Sequence, residues 1–279
     1  MMTRWTQTLG GWTLGILVAL ALMSCASYPR WHVIDDFEAS PTLQGWTNID
    51  AQNETVPYIP NPQISKIYAA EGNRYMLRKP AANGVVGNRK ALGFKALPKP
   101  IPFGSQATLY ARFNVEAFPN NQSFGLSGSP PSDIPVLAYD AFEPMIRVTD
   151  KAESDGTRNN GTLMVSTGHK SYARIQTPLT GEDAAPLTPD RWYEVWAVID
   201  NAAAEQGGQS FDLFMKGGEF ETQTQVFAGA AFWLRNEAAL THFIAISNTG
   251  PTNAPYGNGG VRYDDLYLSD GRNLTMPKR

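Results

Sequence analysis

An all-β, two-sheet antiparallel sandwich is the architecture this sequence predicts. Residues Ala107–Ala117 alternate strictly, with Leu109, Ala111, Phe113 and Val115 on one face and Tyr110, Arg112, Asn114 and Glu116 on the other. That is the period-2 pattern of a strand with one buried face. The chain also holds 25 glycines and 20 prolines, enough turn formers to punctuate many short strands. Helical periodicity surfaces only over Ala202–Gln206 and Asn236–Leu240, too briefly to build a helical layer.

Taken in order, the chain begins with Arg4 and an apolar run over residues 14–23. A run that short does not cross a bilayer as a helix, which needs roughly 20 residues, but it fits the core of a secretory signal. Leu22-Met23-Ser24-Cys25 follows and resembles the lipobox of bacterial lipoproteins. The resemblance implies a lipoprotein signal peptide over 1–24, lipidation of Cys25, and a tether over 25–31. The alternative is an ordinary signal cleaved near Ala26. Because Ala26 is not the aspartate of an inner-membrane retention signal, the resemblance implies a bacterial cell-envelope protein at the outer membrane, facing periplasm or cell surface. Cys25 is the only cysteine, so no disulfide is available to the fold.

From residue 32 to 279 a single domain is expected, since neither an internal repeat nor a shift of composition divides the chain. Arg191–Asp200 reads as a central strand, because Tyr193, Val195, Ala197 and Ile199 alternate with Trp192, Glu194, Trp196 and Val198, leaving both faces largely apolar. Ser210–Lys216, between Gly207-Gly208 and Gly217-Gly218, signals a hairpin. Further strands are expected at Pro144–Thr149, Thr162–Thr167, His242–Ser247 and Val261–Leu268, and long polar connections at Asn120–Pro135 and Lys151–Gly161.

Composition excludes several functions. A net charge of −3 offers no basic face for nucleic acid. The three histidines, at positions 32, 169 and 242, are too scattered for a zinc site. His242 opens an apolar strand and reads as a residue of the core edge. No Gly-x-Ser-x-Gly elbow or phosphate-cradling loop occurs, so nucleophilic catalysis has no support.

Two ends of the chain belong together. Val33-Ile34-Asp35-Asp36-Phe37-Glu38 with Gly45-Trp46 stands near the start, and Val261-Arg262-Tyr263-Asp264-Asp265-Leu266-Tyr267-Leu268 near the end. With Arg191-Trp192-Tyr193-Glu194-Val195-Trp196 and Phe211-Asp212-Leu213-Phe214 between them, this pattern resembles the bacterial jelly-roll modules of the concanavalin-A-like lectin/glucanase and laminin-G-like group. The resemblance implies a jelly roll in which first and last strands lie side by side. It leaves the activity open, because this sandwich hosts many functions.

Such a pairing would gather Asp36, Glu38 and Asp265 at one edge. Carboxylates crowded together raise one another's pKa unless a cation joins them, and a structural Ca2+ is the hard cation suited to oxygen ligands. The alternative is solvated strand-end charge. For carbohydrate, ring faces and hydrogen-bonding side chains must share a surface, and Tyr110, Arg112, Asn114, Arg147 and Tyr172 are expected on one polar sheet face, with Trp233 on a loop. Trp46, Trp192 and Trp196 are assigned to the core.

Three functions compete. The first is binding of an extracellular or cell-wall polysaccharide. The second is a polysaccharide lyase, with Arg112, Arg147, His169 and Tyr172 as the groups that would neutralise a uronate and move its proton. The third is a structural or adhesive surface protein. A laminarinase-like hydrolase is disfavoured, since its Glu-x-Asp-x-x-Glu strand is absent.

Overall fold

A computed structural model describes residues 30–60, 64–80, 86–153, 156, 158–249 and 259–278. Cys25, the signal segment and most of the tether lie outside the described residues. The strands in chain order are β1 (Trp31–Asp35), β2 (Trp46–Asn53), β3 (Ile64–Ala70), β4 (Asn73–Lys79), β5 (Arg89–Ile101), β6 (Gln106–Val115) and β7 (Asn121–Ser127). After them come β8 (Met145–Thr149), β9 (Met164–Ser166), β10 (Tyr172–Arg174), β11 (Trp192–Asp200), β12 (Ser210–Gly217), β13 (Phe220–Ala231), β14 (Leu240–Asn248) and β15 (Val261–Asp270). One helical turn, α1 (Ile134–Leu137), runs into a 3-10 turn at Ala138–Ala141.

All pairings are antiparallel and form two sheets. The first has the order β13-β12-β11-β6-β15-β4-β3, with β1 also on β15; the second has the order β10-β9-β8-β7-β14-β5-β2. The strand order follows from nonlocal pairing, as in a jelly roll, and the two sheets stack as a sandwich. Leu109, Ala111, Phe113 and Val115 of β6 face inward onto Phe124 and Leu126 of β7 and Phe243 and Ala245 of β14. The central position read for Arg191–Asp200 holds, since β11 lies between β12 and β6. Its outer side is covered as well: Trp196 and Val198 pack with Tyr110, Phe214 and Tyr267 under Leu274 of the C-terminal tail. Thr275 fastens that tail, its carbonyl accepting from Trp196 Nε1 (3.1 Å) and its hydroxyl from Trp31 Nε1 (3.2 Å).

Two expectations about elements fail. Asn120–Pro135 is not a polar connection, because it contains β7, every residue of which is buried between β8 and β14. Its polar residues are matched internally: Gln122 Nε2 donates to the carbonyls of Arg78 and Gly259, and Asn121 accepts from Arg147. Asn236–Leu240 is not helical, since Leu240 already belongs to β14. Trp192 also departs from expectation. It is half-buried on the outer face of the first sheet, with Arg112 stacked 4.3 Å from its ring centre.

A buried arginine joins the two sheets. Arg78, on β4, is fully buried and its Nη1 donates to Asn48 and Ser65, each at 3.1 Å. Room for it comes from β5, where a Cβ on Gly93 would stand 2.4 Å from Arg78 Nη1. Burial lowers the guanidinium to about 10, and the Asp50 carboxylate beside it is pushed up to about 6 by its own desolvation.

Candidate functional site on the outer face of the second sheet

Along β7, β8 and β14 alternate side chains leave the core and form the outer face of the second sheet. Half of that face is roofed. Ile134, Ala138, Ala141 and Phe142, from the segment carrying α1, pack on Leu92, Phe94, Ile244 and Ile246. The roof is pinned by Glu143, whose Oε1 accepts from the Gly128 amide (2.9 Å) and whose carbonyl accepts from the Trp233 amide (2.6 Å). The same contact sets Trp233 at the roof's edge.

The unroofed half is an open cavity of about 600 Å³, with Asn121, Arg147, Tyr172, Trp233 and Asn248 among its lining residues. Register explains the floor: Asn121 pairs with Thr149 and Ser123 with Arg147, placing Asn121 and Arg147 on one face of neighbouring strands. Arg147 is almost wholly buried, and each of its three nitrogens donates within the protein. Nε and Nη2 donate to Asn121 Oδ1 at 3.3 and 3.1 Å, and Nη1 donates to Glu153 Oε1 at 2.5 Å. The guanidinium carbon lies 4.4 Å from the centre of the Tyr172 ring, a cation–π contact that holds the ring in place.

From Tyr172 the aromatic wall continues. Its ring centre is 5.1 Å from that of Trp233 at an interplanar angle of 32°, and His169 meets Trp233 edge-on at 5.3 Å. Asp140 Oδ1 accepts from Trp233 Nε1 at 3.1 Å and lies 3.3 Å from His169 Nε2. Burial raises the phenols of Tyr172 and Tyr139 above the ordinary tyrosine range, so both are neutral hydrogen-bonding groups at neutral pH. His169 and Lys170 arrive on the β9–β10 turn, closed by hydrogen bonds between Thr167 and Ser171 and from the Ser171 amide to the Gly168 carbonyl. Lys170 is left-handed there, at φ 59°.

The expected binding face therefore divides. Arg147 and Tyr172 meet in this cavity and Trp233 completes its wall, while His169 stands against Trp233 without lining the space. Tyr110, Arg112 and Asn114 are on β6 of the other sheet and face away from it. Tyr110 is buried beneath the tail cluster, Asn114 accepts from Arg262 (2.8 Å), and Arg112 donates to Asp264 (2.9 Å). Alternation assigned each residue to an outward face, but the outward faces of two sheets point in opposite directions. Arg112 is for that reason no partner of Arg147 in a lyase site. Asn121, Tyr139, Asp140 and Glu153 were missed: Asn121 and Glu153 lie in segments that read as connections, and Tyr139 and Asp140 in the roof, a stretch to which no element was assigned.

The acidic edge forms, since β1 pairs with β15 and Asp35 stands opposite Leu266. It does not fit calcium. Asp36 Oδ1 accepts from the Glu38 amide (3.2 Å), Glu38 Oε1 accepts from the Arg74 amide (2.7 Å), and Asp265 Oδ2 lies 3.7 Å from Arg112 Nη1. Lys95 and Arg112 supply the countercharge at this edge, with Lys95 Nζ 2.6 Å from Asp35. Among the described residues no group of three His, Cys, Asp or Glu side chains is arranged to hold a metal ion. Asp264, between Arg112 and Asn73, is pushed up to about 6, first by desolvation.

No family model matches the chain, and no curated protein matches it in sequence. Solved structures with a similar sandwich include a winged bean acidic lectin complexed with methyl-α-D-galactose, at 10% identity and a TM-score of 0.49, covering 87% of this chain and 98% of that one. The exoplasmic/lumenal domain of VIP36, in a form bound to Ca2+ and Man3GlcNAc, has 9% identity and a TM-score of 0.49, covering 88% and 90%. The carbohydrate recognition domain of Emp46p has 12% identity and a TM-score of 0.44, covering 87% and 97%. The chain's own strand pairing makes it a two-sheet antiparallel sandwich.

Proposed function

We propose that this protein binds a polysaccharide in the cavity on the outer face of its second sheet. The observation that carries the reading is the Tyr172–Trp233 wall standing over a floor of Asn121, Arg147 and Asn248 in an open space of about 600 Å³. Ring faces take the C–H surface of a pyranose, while amide and charged groups take its hydroxyls, and the volume lies in the range of sites for small ligands. The lipobox-like residues ending at Cys25 support the second part of the proposal, a lipid-anchored protein of the bacterial cell envelope, facing periplasm or cell surface.

A glycan array with the full-length protein, repeated with Trp233→Ala, tests the binding. We expect a bound glycan that the variant loses; binding unchanged in Trp233→Ala removes the cavity from the proposal, and silence on every glycan favours a structural or adhesive role. A lyase is the second reading, favoured by Arg147 and Tyr172 lining one cavity with His169 next to its Trp233 wall. Incubation of the bound glycan decides it, since unsaturated uronate ends absorb in the ultraviolet and a binding protein produces none. For the anchor, the Cys25→Ser protein should lose incorporation of a fatty-acid label and leave the membrane fraction.

A further inference from the structure

The charges around the cavity are unequal in how they are satisfied. Both carboxylates of the lining already have partners within the protein: Glu153 Oε1 accepts from Arg147 and from Asn159 Nδ2 (2.6 Å), and Asp140 Oδ1 accepts from Trp233. Arg147 gives three of its five N–H donors to Glu153 and Asn121. The two lysines of the lining, Lys151 and Lys170, form no ion pair among the described residues.

The position of Lys151 is costly. It is half-buried, and desolvation first and the nearby Arg147 charge second lower its pKa against the opposing charge of Glu153. A partly desolvated cation with no ion pair among the described residues is unfavourable. Lys170 occupies a left-handed conformation that L-residues seldom adopt. It stands exposed on the β9–β10 turn beside the cavity, with no ion pair among the described residues.

We infer that the cavity is built for an acidic sugar, whose anionic oxygens are taken by Lys151 and Lys170 while its ring lies on the aromatic wall. The inference rests on the cavity being the polysaccharide site and names the chemical class of its ligand. Uronate carboxylates and sulfate esters share the required chemistry. The overall charge of −3 argues against a merely nonspecific attraction to polyanions.

Affinity electrophoresis of the full-length protein in gels containing polygalacturonate, dextran sulfate or uncharged dextran tests it. Retardation by polygalacturonate alone identifies the carboxylate as the recognised group, and retardation by dextran sulfate alone identifies the sulfate; either supports the inference. The double variant Lys151→Gln/Lys170→Gln should then lose affinity by roughly tenfold per lysine, with a melting temperature no lower than the native protein's showing that it is folded. Equal retardation by dextran, abolished in Trp233→Ala but untouched in the double variant, overturns the acidic-sugar inference and leaves the cavity as the binding site. Retardation by the acidic polymers that survives both Trp233→Ala and the double variant overturns the cavity reading and this inference together.

Discussion

Raising the pH from 4.5 to 8 should weaken the fold, and Glu143 is the reason. Its side chain is wholly buried between the roof and the Trp233 loop, and desolvation pushes its carboxyl up from 4.5 to about 7, against the opposing hydrogen bond from Gly128. A group whose pKa is higher folded than unfolded contributes stability that is fully present below the unfolded value and is lost as pH rises through the folded one. The window is therefore about pH 4.5 to 7, and two and a half pKa units correspond to about 3 kcal/mol. Asp50 and Asp264, each raised to about 6, add slopes of the same sign. Urea unfolding followed by tryptophan fluorescence at several pH values measures the total. Comparison with Glu143→Gln isolates one residue, because the amide keeps the shape and never ionises. Above pH 7 the variant should gain about 3 kcal/mol on the native protein relative to their difference at pH 4.5. A difference between the two proteins that does not change with pH would refute the reasoning.

Other predictions follow from contacts in the core and at the acidic edge. Gly93→Ala sets a methyl group against Arg78 Nη1 and Asn48 Oδ1, an overpacking expected to cost about 1–3 kcal/mol in unfolding free energy; a neutral result would mean that the arginine moves freely. Removing the Arg147 side of a part-buried charge pair leaves Asn121 without its donor and Glu153 with Asn159 alone, so Arg147→Met should lower stability by about 1–3 kcal/mol and release the Tyr172 ring, visible as a change in near-ultraviolet circular dichroism. Because protein cations already serve the acidic edge, adding a chelator should leave the melting temperature unaltered; a fall on chelation, reversed by Ca2+, would contradict that account.

Much of the sandwich was legible in short stretches. β6 and β11 stand close to where their alternation put them, with the same residues inward, because the period-2 rule is local and both strands carry strong apolar faces. β7 was hidden for a physical reason. Four of its seven residues are Asn, Gln or Ser, and the partners of Asn121 and Gln122, namely Arg147, the Arg78 carbonyl and the Gly259 carbonyl, lie far away in sequence. β13 (Phe220–Ala231) was equally faint, since most of it is exposed or half-exposed at a sheet edge. In the site, Arg147, Tyr172, His169 and Trp233 were singled out on residue type. Asn121 and Glu153 were not, because nothing local marks a residue whose role is to engage a distant guanidinium.

What the chain's own order of residues determined is which side chains turn inward and which turn outward along each strand, and that the acidic first and last strands suit one another. Tertiary structure alone decided which sheet each strand enters. That choice separates Tyr110, Arg112 and Asn114 from Arg147 and Tyr172, lays the C-terminal tail over Tyr110, and leaves the second group open. Alternation is a property of neighbouring residues, whereas sheet membership is set by backbone hydrogen bonds between strands distant in sequence, such as β7 with β14 and β6 with β15.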